Sequence, residues 1–254
     1  MPFPTTRLYL EDSHLFETEA TITGVRDNAL AFDRTCFHPG GGGQPSDQGL
    51  IGLPSGLIFE VASAEADASG VIWHVCPAGL SEAIFCSQTA TLTVNAERRL
   101  ALTRYHTVLH VLNTIALRDY KAWITGAQIG TDYSRIDFKW DGFSAAACPE
   151  LEAKVNAVLD AGHTLKAFYL NENEFQRRTD LLRTLDVSPP VIDGRVRVVA
   201  IDGFDEQACG GTHVHSTADV GRFSITKTEN KGKSNKRLYV RLEPPAILES
   251  KTNA

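Results

Sequence analysis

The 254-residue chain is 43% hydrophobic, enough for a substantial core in one large domain or two ordinary ones, and carries a formal net charge of -6. No stretch approaches the roughly 18 consecutive apolar residues of a membrane span, and the Met-Pro-Phe-Pro start lacks the basic and apolar regions of a secretory leader, so a cytoplasmic protein is expected. Five scattered cysteines fit a reducing compartment, and the net negative charge argues against an indiscriminate nucleic-acid binder.

In chain order, residues 1–94 read as short β segments: TRLYL, FETEATITGV, NALAFDRTCF, LIFEVA, VIWHV and AIFCSQTATLTV. Turn signals at Asp27-Asn28, the glycine run 40–43, Pro54-Ser55-Gly56 and Ser69-Gly70 have the spacing of a small barrel or sandwich. At Asn95 the character changes. Asn95 is a helix cap with Glu97 in the first turn, and an apolar-rich helical pattern runs to about Arg118. A second helix starts at Pro149, buries Leu151, Val155, Val158 and Leu159, and stops at Gly162. A third is expected over 172–185. IDFKW, TLKAFYL, RVRVVAI, GRFSIT and RLYVRL read as strands, so residues 95–254 are expected to form an α+β domain with a sheet covered on one face.

Two pairs of residues carry chemistry. His106 and His110 lie four apart on the first helix, hence on one face, where two imidazoles can chelate one ion. Leu102, Leu109, Leu112 and Ala116 form a different stripe for the core, leaving the histidine face to line a cleft. Cys209 and His213 stand four apart around Gly210 and Gly211. With eight histidines and five cysteines, chance supplies about 0.25 His-x-x-x-His pairs and about 0.16 Cys-x-x-x-His pairs, so neither pair is specific alone; their coincidence, about 0.04, is. A mixed nitrogen and sulfur donor set suits Zn²⁺ in tetrahedral geometry. The residues leave His215 as a competitor of His213, because alternation in an extended segment points both to one side.

An acidic chain also carries one basic strip. Residues 222–241 hold Arg222, Lys227, Lys231, Lys233, Lys236, Arg237 and Arg241 against the single acid Glu229. Such a run is either a solvated hairpin tip or a phosphate-binding surface. The glycine run lacks the Lys-Ser/Thr of a P-loop and no helix follows it, which excludes a nucleoside-triphosphatase reading.

Taken in order, PGGGGQPSDQG (39–49), HTVLH (106–110), CGGTHV (209–214) and KGKSNKRLYV (231–240) resemble the alanyl-tRNA editing proteins (the AlaX family) and the editing domain of alanyl-tRNA synthetase. The resemblance spans nearly the whole chain. It implies an α+β protein with an N-terminal translation-factor-like β-barrel, residues 1–94 with the glycine-rich loop, followed by an α/β two-layer editing domain, residues 95–254. It implies one Zn²⁺ per chain, held by His106, His110, Cys209 and His213. The implied reaction is hydrolysis of the ester joining a wrong amino acid, serine or glycine, to tRNA(Ala), and the implied partner is the acceptor end of that mischarged tRNA. A chain this short has no room for aminoacylation or anticodon modules, so a free-standing protein is expected. A synthetase pocket built for alanine excludes glycine and serine poorly, which is why a second, hydrolytic sieve is needed.

Carried over residue by residue, Gln128 and Thr212 are expected at the reacting ester, and Leu109, Gly210 and Gly211 at the aminoacyl group. Gly41, Gly42, Gln44 and Asp47 in a mobile loop, with Lys231, Lys233, Lys236 and Arg237, are expected at the RNA. Leu109 departs from the threonine frequent in synthetase copies, which leaves serine recognition open; Thr107 is no substitute, since two residues away on a helix it points elsewhere. Four protein ligands fill a tetrahedron, the usual mark of a structural zinc. A non-catalytic tRNA-binding module with a structural zinc is therefore the alternative.

Overall fold

The computed structural model describes all residues except 1–2, 78–79, 81–85, 184–188, 190, 193, 233 and 244–254. The chain divides into two compact units, Met1–Leu100 and Ala101–Ala254. No helix among the described residues is long and apolar enough to cross a membrane.

The first unit holds β1 (Thr6–Arg7), β2 (Glu17–Arg26), β3 (Ala29–Phe32), β4 (Arg34–Thr35), β5 (Gly49–Gly52), β6 (Ile58–Val61), β7 (Ser63–Ala66), β8 (Ile72–Val75) and β9 (Thr89–Val94). Seven of these form one antiparallel sheet in the order β6-β5-β9-β2-β3-β8-β7, while β1 and β4 make a small parallel pair. Alternation drives the pairing: Ala90, Leu92 and Val94 of β9 are buried while Thr89, Thr91 and Thr93 are not. The expected barrel is not closed. Edge strands β6 and β7 are separated only by Ala62, so their facing ends lie within ~7 Å, yet no ladder joins them among the described residues. The result is a coiled but open sheet whose two ends are tied by the chain.

The glycine run closes into a hydrogen-bonded turn. Gly41 N–H donates to Gln44 O at 2.9 Å and Gln44 N–H to Gly41 O at 3.0 Å, with Gly42 and Gly43 at φ 60° and 86°, the left-handed values a type I′ hairpin turn requires. Its base is locked. Asp47, fully buried, accepts Arg99 Nε on Oδ1 at 2.9 Å and pairs with Arg99 Nη2 through Oδ2, which also accepts His38 N–H at 2.5 Å. Arg99 completes its fork on Ser13 O and Cys36 O.

α1 (Ala96–Tyr120) starts as expected, Asn95 Oδ1 accepting Arg98 N–H at 3.0 Å. The division between the units falls inside this helix. The second unit continues with β10 (Trp123–Gln128), β11 (Ser134–Lys139), α2 (Cys148–Asp160), β12 (Leu165–Asn171), α3 (Glu172–Gln176), β13 (Val191–Ile192), β14 (Arg195–Ile201), β15 (Asp205–Ala208), β16 (Arg222–Asn230) and β17 (Asn235–Glu243). One antiparallel sheet runs β10-β11-β17-β16; a second runs β12-β14-β13, with β15 also paired to β14.

Leu102, Leu109, Leu112 and Ala116 of α1 share one core with Leu151, Val155 and Leu159 of α2 and with Ile136, Phe138, Leu238 and Val240 of the first sheet. Asn156 of α2 binds the edge strand β16 as a backbone would, donating to Phe223 O and accepting Phe223 N–H, both at 2.9 Å. The third expected helix is only the five-residue α3, capped by Asn171 and Glu174, and residues 184–185 of that expectation lie outside the described residues. Its sequence has too few apolar residues to bury a face, and packing is what sustains a short helix.

Candidate metal centre

From Leu102 to Ala116 α1 is buried on nearly every side, so its polar residues do not face an open cleft as the sequence suggested. Thr103, His106, Thr107, His110, Asn113 and Thr114 fall at helical spacing and form a buried polar stripe. Such groups must find partners inside the protein. They find most of them in the segment from β15 to Val214, while Asn113, which donates to Gln207 Oε1, leaves its Oδ1 buried without one.

β15 pairs with β14 so that Ala208 lies opposite Val198, which delivers Cys209 at the strand's end. Arg197, itself buried, donates through Nη1 to Cys209 O and Gly211 O, both at 3.0 Å, clamping the turn by its carbonyls. Gln207 Nε2 donates to Thr114 Oγ1 at 2.9 Å and to His110 O at 3.2 Å, fastening β15 to α1. Thr212 Oγ1 lies 2.8 Å from Thr103 Oγ1.

These anchors bring one ligand atom each from His106, His110, Cys209 and His213 within 4.8 Å of one another. Cys209 Sγ lies 3.5 Å from His106 Nε2 and 3.3 Å from His213 Nε2. A tetrahedral zinc with bonds of about 2.0–2.3 Å has ligand-to-ligand edges of about 3.3–3.7 Å, so the donor set and the two edges at Cys209 Sγ fit that ion.

The surrounding bonds prepare the donors. Thr107 Oγ1 donates to Thr103 O at 3.0 Å, so it is an acceptor toward His213 Nδ1 at 3.1 Å and Val214 N–H at 3.2 Å. His213 therefore carries its proton on Nδ1 and turns a lone pair on Nε2 toward Cys209. Burial, then the charges of Arg183 and Arg197, push His110 down to about 3, which keeps its imidazole neutral and able to bind a cation. Burial pushes the Cys209 thiol up, opposed by the Gly211 N–H that donates to Sγ at 3.4 Å and by Arg197. A metal would supply the charge that draws off that proton.

The exposed His215 is outside this group of four. Leu109 lies in the hydrophobic core. Thr212 and Gly211 are tied into the turn, and Gly210 is half-buried beside them.

Gln128 lies elsewhere. It is exposed at the end of β10, its Oε1 accepts Arg135 Nε at 2.8 Å, and it lines a small cavity with residues 129–133 and Arg135 that includes none of the four ligands.

The expected RNA contacts are redistributed too. Gly41 and Gly42 are exposed, but Gln44 and Asp47 are buried, Asp47 on Arg99, so both face the interior and not an RNA. Lys231 is paired with Glu229 at 2.9 Å and Lys236 is buried on the core side of β17. Arg237 is bidentate to Asp137, with both bonds at 2.7 Å. Lys233 lies outside the described residues.

Thr107, Arg197 and Gln207 were absent from the sequence-based site. Thr107 alone had a signal, the recurrence of polar residues at helical spacing inside an apolar helix.

A comparison with known proteins adds the family. Residues 196–239, which include Arg197, Cys209 and His213, match the threonyl and alanyl tRNA synthetase second additional domain. The alanyl-tRNA editing protein AlaX-M of Methanosarcina mazei is 33% identical over 242 residues, 94% of this chain and 96% of its own length. The chain belongs to the alanyl-tRNA editing protein family. AlaX-M of Saccharolobus solfataricus is 31% identical over 94% of this chain and its own full length. The alanine–tRNA ligase of Korarchaeum cryptofilum is 36% identical over 225 residues, 87% of this chain but 24% of the ligase, so this member of the family resembles a quarter of a much longer enzyme.

Proposed function

We propose that the protein is a free-standing editing hydrolase that cleaves the ester of mischarged tRNA(Ala), removing a wrongly attached serine or glycine. The observation that carries this reading is the convergence of four buried ligand atoms in a chain similar over 94% of its length to a protein named for alanyl-tRNA editing. His106, His110, Cys209 and His213 would hold one Zn²⁺, which when bound supplies a positive charge that polarises an ester carbonyl or a water.

The chain's own residues do the rest. Thr107 holds the His213 ring in its Nδ1–H form, and Arg197 and Gln207 fix the turn against α1, so the donors are gathered before the ion arrives. Thr103 and Thr212 hydroxyls form a pair at 2.8 Å, each three residues from a ligand or closer in the chain, and are the groups we assign to a serine hydroxyl.

A deacylation panel of Ser-, Gly- and Ala-charged tRNA(Ala) tests the proposal. Hydrolysis of Ser-tRNA(Ala), with Ala-tRNA(Ala) spared, is the expected result; no hydrolysis of any of the three overturns it. The four-ligand geometry also favours a second reading, a tRNA-binding module whose zinc is structural. A zinc-loaded protein that binds tRNA but leaves all three esters intact would establish that reading.

A further inference from the structure

The solvent face of the first sheet of the second unit carries a cross-strand row that the metal centre does not use. Antiparallel pairing sets Gln128 opposite Arg135, Arg135 opposite Tyr239 and Tyr239 opposite Lys227, so an amide, a guanidinium, a phenol ring and an ammonium line up across four strands. Lys227 Nζ stands 5.2 Å over the Tyr239 ring, and Tyr133, half exposed, lies 6.2 Å from it. At the row's end the loop between β10 and β11 encloses a cavity of about 180 Å³, lined by Gln128, Gly130, Asp132, Tyr133 and Arg135.

The loop's shape is fixed. Gly130 N–H donates to Ser134 Oγ at 3.2 Å, and a Cβ at Gly130 would meet Tyr133 O at 2.5 Å. Tyr105, beside the ligand His106, donates its hydroxyl to Asp132 O at 2.7 Å, which fastens the cavity's loop to the metal helix.

The cavity is smaller than the roughly 300–1,000 Å³ of a drug-sized site, so it suits one ring system. Its walls offer an aromatic face for stacking, the unpartnered amide NH₂ of Gln128 for a heterocycle's edge, and the Arg135 guanidinium, held by Gln128 Oε1 and paired with Asp137, as a second stacking face.

We infer that this cavity is a subsite for one unpaired nucleobase of the tRNA's single-stranded 3′ end, with Tyr133 as its stacking platform. The inference rests on the proposed tRNA substrate and assigns Gln128 to the RNA rather than to the ester.

Equilibrium binding of two uncharged RNAs, intact tRNA(Ala) and the same tRNA without its single-stranded 3′ nucleotides, tests it without any ester chemistry. The wild-type protein should bind the intact RNA about tenfold more tightly. Tyr133→Ala should remove that advantage and leave the truncated RNA unaffected, while Tyr133→Phe should keep it, since stacking needs the ring and not the hydroxyl. Equal wild-type affinity for the two RNAs, or an equal loss on both in Tyr133→Ala, would overturn the subsite and leave the editing proposal standing. Failure to bind either RNA would overturn both.

Discussion

Thr107 Oγ1 lies 3.1 Å from His213 Nδ1, with its own proton committed to the Thr103 carbonyl at 3.0 Å. One helical hydroxyl thus sets the tautomer of a candidate ligand 106 residues away in the chain. Thr107→Val, which keeps the shape and removes the acceptor, should weaken zinc binding by about 10–100-fold in competition with a chromophoric chelator, and Thr107→Ser should restore it. Unchanged affinity in the valine variant would show that the ring is oriented by packing alone.

The Arg99–Asp47 pair is fully buried in the first unit. Arg99→Met strands a buried carboxylate and should cost about 3–5 kcal/mol in urea unfolding. Adding Asp47→Leu to it removes the stranded charge and should recover much of that loss. A double variant as unstable as the single one would mean that the bonds from Arg99 to Ser13 O and Cys36 O matter more than the pair.

His74 gives the first unit a pH dependence. Burial pushes it from 6.5 down to about 4, and its ring is held neutral between Leu30 O, 3.2 Å from Nδ1, and the Thr35 hydroxyl, 2.8 Å from Nε2. Between pH 6.5 and 4 the unfolded chain takes up a proton that the folded one refuses, so stability present above pH 6.5 is lost as pH falls. The loss amounts to about 3 kcal/mol across that window. The urea midpoint of the wild type should therefore drop faster on acidification than that of His74→Gln. Parallel pH profiles would refute this.

Arg237 is already occupied by Asp137 on the solvent face of the sheet. Asp137→Asn removes the competing charge, and should tighten tRNA binding by about threefold and steepen its salt dependence. Weaker binding instead would show that the carboxylate is needed to aim the guanidinium.

The convergence of the four candidate ligands was legible because both pairs are local. A four-residue step on α1 fixes His106 beside His110, and three residues bridge Cys209 and His213. What holds those pairs in place left no local trace: Arg197 reaches back to the turn it precedes by a dozen residues, and Gln207 reads the carbonyl of His110. Asp47 was misread for the same reason. Beside a glycine run it looks solvated, and only Arg99, 52 residues later, makes it an interior residue. The strands of the first unit were mostly visible in their alternation, whereas barrel closure depends on which strands end at the edges, and periodicity carries no information about that. β5, β7, β10 and β15 escaped notice because glycine, alanine and acidic residues dilute their pattern.

The turn at residues 41–44 is closed by two backbone hydrogen bonds, and its base is pinned by Asp47. Anything that touches Gly42 or Gly43 meets a finished shape. Closing the turn during folding removes conformational freedom that an open glycine segment of the same length would keep.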